Sequence, residues 1–200
     1  MTDRAADPST VDRLRTALSD LGERALEALP GGERSYPTPP RSIVDGEDRE
    51  VELRAYDEGA FEPLVAMYVD FDPEQRAQGT PPVGEGNVRE WLAGTLLEGP
   101  SVVAWAEGDG SEERAVGHVA FVPDDTGKHE LAIFVHPEYQ RAGIGDALME
   151  TGFGHARERG VTQVWLTVEP WKRGIGKFYS DHGFDTVNAY GHAHRMSRYL

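Results

Sequence analysis

The segment LAIFVHPEYQRAGIGDAL at residues 131–148 constrains the fold of this chain more than any other part of the sequence. It begins as an apolar strand that His136-Pro137 stops, and a glycine-rich turn then leads into a helix with an apolar face. A helix N-terminus has unpaired N–H groups and a partial positive charge, and glycines let its backbone approach an anion closely. The segment therefore predicts a diphosphate site built from backbone amides without a metal, to which Arg141 adds a formal charge.

Two other phosphate-binding loops fit this segment less well. A Walker loop needs the pattern GxxxxGK[ST], which the chain does not contain. A dinucleotide fingerprint needs a third glycine, which is missing here at the required spacing. It also lies in a parallel βαβ unit, whereas the strands before this turn are predicted to be antiparallel. A nucleotide-binding oxidoreductase is therefore disfavoured.

Hydrophobic periodicity divides the chain into an extension and one domain. Residues 10–29 are predicted to form an amphipathic helix, and a proline-rich connector without regular structure follows it. We place the boundary near residue 48, which gives an N-terminal extension at 1–48 and a domain at 49–200. The helix would pack on its own domain, pair in a homodimer or bind a partner.

Within the domain, the patterns predict an α+β fold with three layers, in which a mixed, mostly antiparallel central sheet is flanked by helices. Two helices follow a first strand, and Asn87 is the expected cap of the second helix. The predicted helices cover 56–71, 87–97, 144–159 and 171–183, and the predicted strands cover 50–56, 101–107, 114–122, 128–135, 161–168, 184–187 and 191–199.

Composition excludes several classes of protein. The chain has no cysteine, which excludes disulfides, thiolate metal sites and a catalytic thiol. Its net charge of −15 is spread along the whole chain, which argues against nucleic-acid binding because that needs a basic face. No membrane span or targeting signal is evident, so a cytoplasmic location is expected. The acidic, lysine-poor surface favours a halophilic protein over a mesophilic one from an arginine-biased genome.

Two motifs resemble those of the GNAT superfamily of N-acetyltransferases. The string VHPEYQRAGIGDAL resembles the family signature [QR]-x-x-G-x-[GA]. The string VWLTVEPWKRGIGKFYSDHGF resembles a second signature, in which a strand and a helix are followed by a tyrosine and by Gly-Phe. The resemblance runs from about Val51 to Tyr199. It implies an acyl-CoA N-acyltransferase-like fold and an enzyme that uses acetyl-CoA as cosubstrate without a metal.

The resemblance also implies which residues bind acetyl-CoA. The backbone of residues 140–145 would hold the pyrophosphate, and the strand ending at Phe134-Val135 would pair with the pantetheine arm, because the strand pair splays apart beyond a bulge. Where the family often has an asparagine, this chain has Lys172, which would meet a coenzyme A phosphate or face solvent. The expected cofactor-binding residues are Phe134, Val135, Gln140, Arg141, Ala142, Gly143, Ile144, Gly145, Asp146 and Lys172.

The same resemblance suggests acid and base residues. Tyr179 matches the family's usual general acid, which protonates the leaving thiolate, and the alternative role for Tyr179 is that of a core aromatic residue. Family members often use a glutamate on the central strands as the general base, so Glu130 is the first candidate. His118 is the second because the pKa of imidazole suits the task, and Glu169 is the third.

The predicted activity is direct transfer of an acetyl group to a primary amine of a small molecule or peptide. The alternative is a non-catalytic acyl-CoA-binding or regulatory module whose N-terminal helix binds a partner. His192 and His194 would place two imidazoles on one face of a strand, but no third ligand is evident nearby, so no metal site is predicted.

Overall fold

One mixed sheet with helices on both faces organises the part of the chain that can be described. The computed structural model describes residues 35–71, 80–96, 99–108, 112–190 and 193–200, and the predicted helix at 10–29 lies outside them. The elements are β1 Arg41–Val44, β2 Glu50–Ala55, α1 Phe61–Val69, α2 Glu85–Leu96, β3 Ser101–Glu107, β4 Glu113–Pro123, β5 His129–Val135, α3 Ile144–Glu158, β6 Gln163–Val168, α4 Arg173–Asp181, β7 Asp185–Tyr190 and β8 Ala193–Tyr199.

The eight strands follow the order β1-β2-β3-β4-β5-β6-β8-β7. All neighbouring pairs are antiparallel except β5 and β6, which run parallel. The α+β fold with a mostly antiparallel central sheet is therefore confirmed. None of the helices in the described part of the chain is both long and apolar enough to cross a membrane.

Two apolar cores lie on opposite faces of the sheet. Leu131, Ile133 and Val135 of β5 pack in the core that also contains buried residues of α3. Phe134 packs in the other core, with buried residues of α1 and α2. Successive side chains of a strand point to opposite faces, so β5 contributes to both cores and is held from both sides. This arrangement fixes the backbone that leads into the glycine-rich turn.

The first strand was not expected. Residues 41–44, which the sequence places in the N-terminal extension, form β1 and pair with β2, with Ile43 opposite Val51. Arg41 on this strand forms an ion pair with Glu150 of α3 at 3.0 Å. A strand of four residues is too short to show an alternating pattern, so its pairing with β2 and its contact with α3 decide its structure.

The start of α2 also differs from the prediction. The helix begins at Glu85, so Asn87 lies in its first turn and does not cap it. The Asn87 side-chain amide instead donates a hydrogen bond to the Val83 carbonyl at 2.8 Å. Helix ends are the least certain part of a pattern-based prediction because several polar residues near the boundary can serve as caps.

Candidate active site

The separation of β5 from β6 leaves one edge of β5 open. The two strands pair only at His129–Val164 and Glu130–Trp165. Beyond this point β5 stays paired with β4 as far as Val135, while β6 pairs along its whole length with β8. Each strand therefore follows a different partner, and the backbone of 131–135 has no ladder partner on its β6 side. Such an edge suits pairing with an extended ligand.

The bulge expected beside this opening lies elsewhere. The register between β4 and β5 is continuous, whereas register shifts occur in the β3–β4 pair, between Ala104 and Trp105, and in the β7–β8 pair, between Thr186 and Asn188. Val116 on β4 is passed over at the first of these shifts, and its carbonyl accepts a hydrogen bond from the His136 amide at 2.9 Å. The opening thus arises from the divergence of β6 rather than from a bulge in β5.

The turn after β5 presents backbone amides at the start of α3. The Gln140 side-chain amide donates to the Val135 carbonyl at 3.0 Å and closes the turn. Gly143 has a φ of 88°, a left-handed conformation that glycine adopts without steric cost. The Ala147 amide donates to the Gly143 carbonyl at 3.1 Å, so the amides of residues 144–146 have no acceptor within the helix. These three amides are available to an anion, and the predicted cradle at residues 140–145 includes two of them, those of Ile144 and Gly145.

Side chains of the turn divide into buried and cleft-facing groups. Ala142 and Ile144 are buried, so only their backbones can meet a ligand. A methyl group added at Gly145 would lie 3.7 Å from the Phe178 ring and 3.9 Å from Val135, which are ordinary contacts. The protein's own packing therefore does not demand glycine at 145. Its missing side chain keeps the cleft open, which fits a bound pyrophosphate.

A cleft of about 680 Å³ joins this turn to α4. Three cationic side chains line it, those of Arg141, Lys172 and Arg173, against one carboxylate, that of Asp146. This positive excess in a chain of net charge −15 suits a ligand with several phosphates. The other lining residues are Ile133, Val135, Gln140, Gly143, Gly145, Trp171, Gly174, Ile175, Phe178 and Tyr179.

Seven of the expected cofactor-binding residues line this cleft, and three, Phe134, Ala142 and Ile144, do not. The Phe134 side chain lies on the opposite face of the sheet, where its ring centroid is 5.4 Å from that of Tyr68. Only its backbone can therefore meet a ligand in the gap. Arg173 also lines the cleft and could not be predicted from the sequence, because a single arginine at a helix start forms no pattern. The Lys172 ammonium lies 2.9 Å from the Glu169 carboxylate.

The hairpin turn between β1 and β2 supports the glycine-rich turn, which the sequence analysis did not anticipate. The Gly46 amide donates to the Ala142 carbonyl at 2.8 Å. Asp45 is buried and accepts hydrogen bonds from the Arg49 side chain at 2.7 Å and from the amides of Glu47 and Arg49. The Arg49 guanidinium in turn lies 4.2 Å from the centre of the Tyr139 ring. The Asp-Gly pair at 45–46 is a known hairpin signal and could have revealed this turn.

These contacts also set the ionisation of Asp45. Burial alone would raise the pKa of Asp45, but hydrogen bonds from the Arg49 side chain and from the amides of Arg49 and Glu47 outweigh it and hold the pKa below its ordinary value. Asp45 therefore remains a carboxylate over a wide pH range. The charged pair it forms with Arg49 fixes the hairpin against the residues that precede the amide cradle.

Tyr179 on α4 lines the cleft together with Ile133 and Val135. Its ring also packs against Phe178 and Phe184, with centroids 5.5 Å and 5.7 Å away. It therefore belongs to the edge of the core and borders the cleft at the same time. Burial raises the pKa of Tyr179 to about 12, so the phenol keeps its proton at neutral pH.

His118 lies in a different environment from the one predicted. Its side chain is fully buried on the face covered by α1 and α2, and Nδ1 lies 2.8 Å from the Tyr68 hydroxyl. Burial lowers the pKa of His118 to about 3. An acceptor amine has no access to this imidazole, so these contacts argue against its predicted role as a base. His118 points to the face of the sheet that forms this core. The sequence alone could not show whether that position is buried or exposed.

Glu130 is exposed and lies at the last paired position before β5 and β6 diverge. Partial desolvation raises the pKa of Glu130; the nearby Asp124 carboxylate raises it further, and Arg195 acts in the opposite direction. It shares a face with Phe134 and does not line the cleft that contains Tyr179. Five residues of strand, roughly 17 Å, separate it from Val135 at the start of the turn.

Among the described residues, no group of three or more His, Asp or Glu side chains could hold a metal ion. His192, one half of the imidazole pair in the sequence, lies outside the described residues.

Comparison with known proteins assigns the family. Residues 62–184 match the sequence profile of the acetyltransferase (GNAT) family, so the chain belongs to that family. An uncharacterized N-acetyltransferase of Escherichia coli (strain K12), YjhQ, is 35% identical over 82 residues. That match covers 37% of this chain and 42% of YjhQ, so it spans less than half of the relative.

Solved structures share the fold. The GNAT domain of S. lividans PAT has a TM-score of 0.65 and 19% identity, and the match covers 80% of this chain and 96% of that one. The PaiA N-acetyltransferase of Thermoplasma acidophilum, solved in complex with coenzyme A, has a TM-score of 0.57 and 16% identity, over 75% of this chain and 99% of that one.

Proposed function

We propose that this chain is an N-acetyltransferase that transfers the acetyl group of acetyl-CoA directly to a primary amine. One observation carries the proposal: a single cleft joins the amide cradle at the start of α3, the open edge of β5 and the Tyr179 side chain. Membership of the acetyltransferase family supports the same chemistry.

The cleft offers a distinct contact for each part of acetyl-CoA. The amides of residues 144–146 would hold the pyrophosphate, and Arg141, Lys172 and Arg173 would supply positive charge around the phosphates. The open edge of β5 would pair with the amides of the pantetheine arm, although Gln140 already uses the Val135 carbonyl. The thioester supplies the activated acetyl group.

Tyr179 would act as the general acid. Because its pKa is raised to about 12, it is fully protonated at neutral pH and can donate its proton to the sulfur as the thiol leaves. The apolar rings around it exclude water, which also disfavours a free thiolate. The raised pKa keeps the proton on the phenol until the thiolate forms, and the apolar surroundings then favour the neutral thiol.

Glu130 would be the general base. An acceptor amine is mostly protonated at neutral pH and must lose a proton before it attacks the thioester. The raised pKa of Glu130 brings this carboxylate closer to the pH at which a base works efficiently. His118 is enclosed in the core and Glu169 is paired with Lys172, so Glu130 is the candidate best placed to meet an incoming amine.

A free-thiol release assay with the full chain tests this function. Acetyl-CoA is incubated with amino acids, polyamines, antibiotics and peptides, at low and high salt, and the free thiol is measured. Release that depends on an amine is the expected result. Thiol release with none of these acceptors, together with a rise in melting temperature on adding acetyl-CoA, would favour the non-catalytic module. That alternative draws support from the absence of any base other than Asp146 among the side chains that line the cleft.

Three further expectations rest on composition and on the N-terminal helix. The net charge of −15 supports a halophilic protein, the sequence favours a cytoplasmic location, and the predicted N-terminal helix could pair in a homodimer. Activity that increases in molar salt would support a halophilic protein. Light scattering of the purified chain tests for a homodimer.

A further inference from the structure

Trp165 of β6 lies beside Glu130 on the same face of the sheet, and its ring is held in a fixed orientation. Trp165 on β6 lies opposite Glu130 of β5 on one side and opposite Ser197 of β8 on the other. Its indole Nε1 donates a hydrogen bond to the Asp124 carboxylate at 2.8 Å. Hydrogen bonds from Thr126, then from Lys128 and Trp165, lower the pKa of Asp124 to about 2, so the acceptor of this bond stays charged. The ring is thereby held at the point where β5 and β6 diverge.

An arginine is stacked on this ring. The Arg195 guanidinium of β8 lies 3.8 Å from the centre of the Trp165 ring, close enough for a cation–π contact. Stacking uses the flat face of a guanidinium and leaves the N–H groups at its edge available to a planar anion such as a carboxylate. The tryptophan thus orients the arginine without neutralising its charge.

Among the described residues several arginines form no ion pair, and Arg195 is the one of these that is stacked on a tryptophan ring. Arg41, Arg54 and Arg89 each form direct ion pairs with glutamates. Among the residues that the structure describes, the Arg195 side chain makes no hydrogen bond and no direct ion pair, and the residue is exposed. It is therefore available to an anion from solution.

Glu130 and Arg195 face the same space from the two sides of Trp165. Their strands are separated only by β6, and Arg195 lies two residues along β8 from the position level with Glu130, which places their backbones about 12 Å apart. Both side chains are long enough to narrow that distance. The charge of Arg195 is felt at Glu130, where it opposes the rise in pKa. A ligand with one cationic and one anionic group would match this pair of charges.

We propose that the acceptor is an amine that also carries a carboxylate, in the manner of an amino acid, and that Arg195 binds the carboxylate while Glu130 meets the amine. This inference rests on the proposed acetyl transfer and names the substrate class of that site. Arg195 is then a specificity-determining residue, stacked on Trp165 beside the base.

Matched acceptors provide the test. Amino acids are compared with their own carboxamides, which keep the amine and lose the negative charge, in the free-thiol release assay on the full chain. The wild-type protein is expected to have a kcat/KM about tenfold or more higher for the amino acids. Arg195→Gln should raise KM for the amino acids about 10- to 100-fold, with a smaller change in kcat, and leave the carboxamides unaffected. Arg195→Lys should restore part of the preference.

Arg159→Gln is the matched control, because it removes one positive charge from the end of α3 and should leave the preference intact. Equal use of amino acids and carboxamides by the wild-type protein would overturn the proposal, as would an unchanged preference in Arg195→Gln. A second readout does not need turnover: in the presence of coenzyme A, amino acids should quench the tryptophan fluorescence of the wild type but not of Arg195→Gln. Amine-independent or absent thiol release would instead count against the proposed acetyl transfer, and a lack of quenching would count against this carboxylate site.

Discussion

The two sides of the opening between β5 and β6 are built in different ways. On the side proposed to bind the coenzyme, the groups offered to a ligand are mainly backbone amides within one short segment, and glycines keep side chains out of the cleft. On the side proposed to bind the acceptor, the groups offered are the side chains of Glu130, Trp165 and Arg195, which come from three strands. A backbone site depends on local chain geometry, whereas a side-chain site can change with single substitutions. The first suits a ligand common to a family, and the second suits an acceptor particular to one protein.

The largest expected effect is at Tyr179, which borders the coenzyme side. Tyr179→Phe removes the proton that leaves with sulfur and keeps the aromatic packing, so kcat should fall about 10²- to 10⁴-fold. The affinity for acetyl-CoA, measured by calorimetry, should change little. Tyr199→Phe, at an exposed tyrosine, is the control. Unchanged turnover in Tyr179→Phe would remove this residue from the acid role.

A substitution at Glu130 tests the acceptor side. Glu130→Gln should lower kcat/KM about 10²-fold and should not affect acetyl-CoA affinity. The base works as a carboxylate, so wild-type activity should fall as the pH drops through the pKa of Glu130, which lies above its ordinary value. This acidic limb of the pH–rate profile should disappear in Glu130→Gln. If it persisted with the same midpoint, another group would be the base.

Substitutions at two glycines of the turn test two different roles of glycine. Gly145 leaves space for the proposed ligand, whereas Gly143 adopts a left-handed backbone conformation. Gly145→Ala should weaken acetyl-CoA binding about tenfold with little change in melting temperature, because the methyl group meets only ordinary contacts in the protein. Gly143→Ala should instead destabilise the fold by about 1 kcal/mol, because φ at this position is 88°. Thermal unfolding and calorimetry on both variants measure the two effects. A large loss of stability in Gly145→Ala would mean that this glycine serves packing.

The smallest expected effect on catalysis is at Asp45, which acts through the hairpin. Asp45→Asn removes the buried carboxylate that pairs with the partly exposed Arg49 and should cost about 2 kcal/mol of stability, with a few-fold rise in KM for acetyl-CoA and an unchanged kcat. The folded-state pKa of Asp45 is lowered, so its stabilising contribution is present above its ordinary pKa and is lost as the pH falls through the folded value. Chemical denaturation of both proteins between pH 7 and acid pH should show this difference shrinking. Glu50→Gln, at an exposed residue of β2 that has no ion pair among the described residues, is the control.

Local signals explain why much of the coenzyme side could be predicted. The stop after Val135, the glycines of the turn and the apolar face of α3 lie within 18 residues, so their spacing carries the geometry. Tyr179 was found through a second local motif. Supports that join distant residues were missed, as with the hydrogen bond from Gly46 to Ala142 and the contact of Arg49 with Tyr139.

The residues on the proposed acceptor side could not be assigned from local sequence signals. His118 and Glu130 lie on neighbouring strands, and both read as candidate bases in the sequence. Only the placement of α1 and α2 shows that His118 is enclosed, with its pKa lowered to about 3, while Glu130 stays exposed. Arg195 could not be singled out in the sequence, because its proposed role depends on stacking against Trp165, which lies 30 positions earlier in the chain.

The sequence by itself predicted the order of helices and strands from β2 onward, the turn after β5 that is proposed to hold the pyrophosphate, and the family, because each depends on periodicity or on a short motif. The tertiary structure decided where β5 and β6 part, which carboxylate stays accessible, and that an arginine is stacked without an anion beside it. These features depend on which strands become neighbours, and pairing between distant segments leaves no periodic trace in the chain.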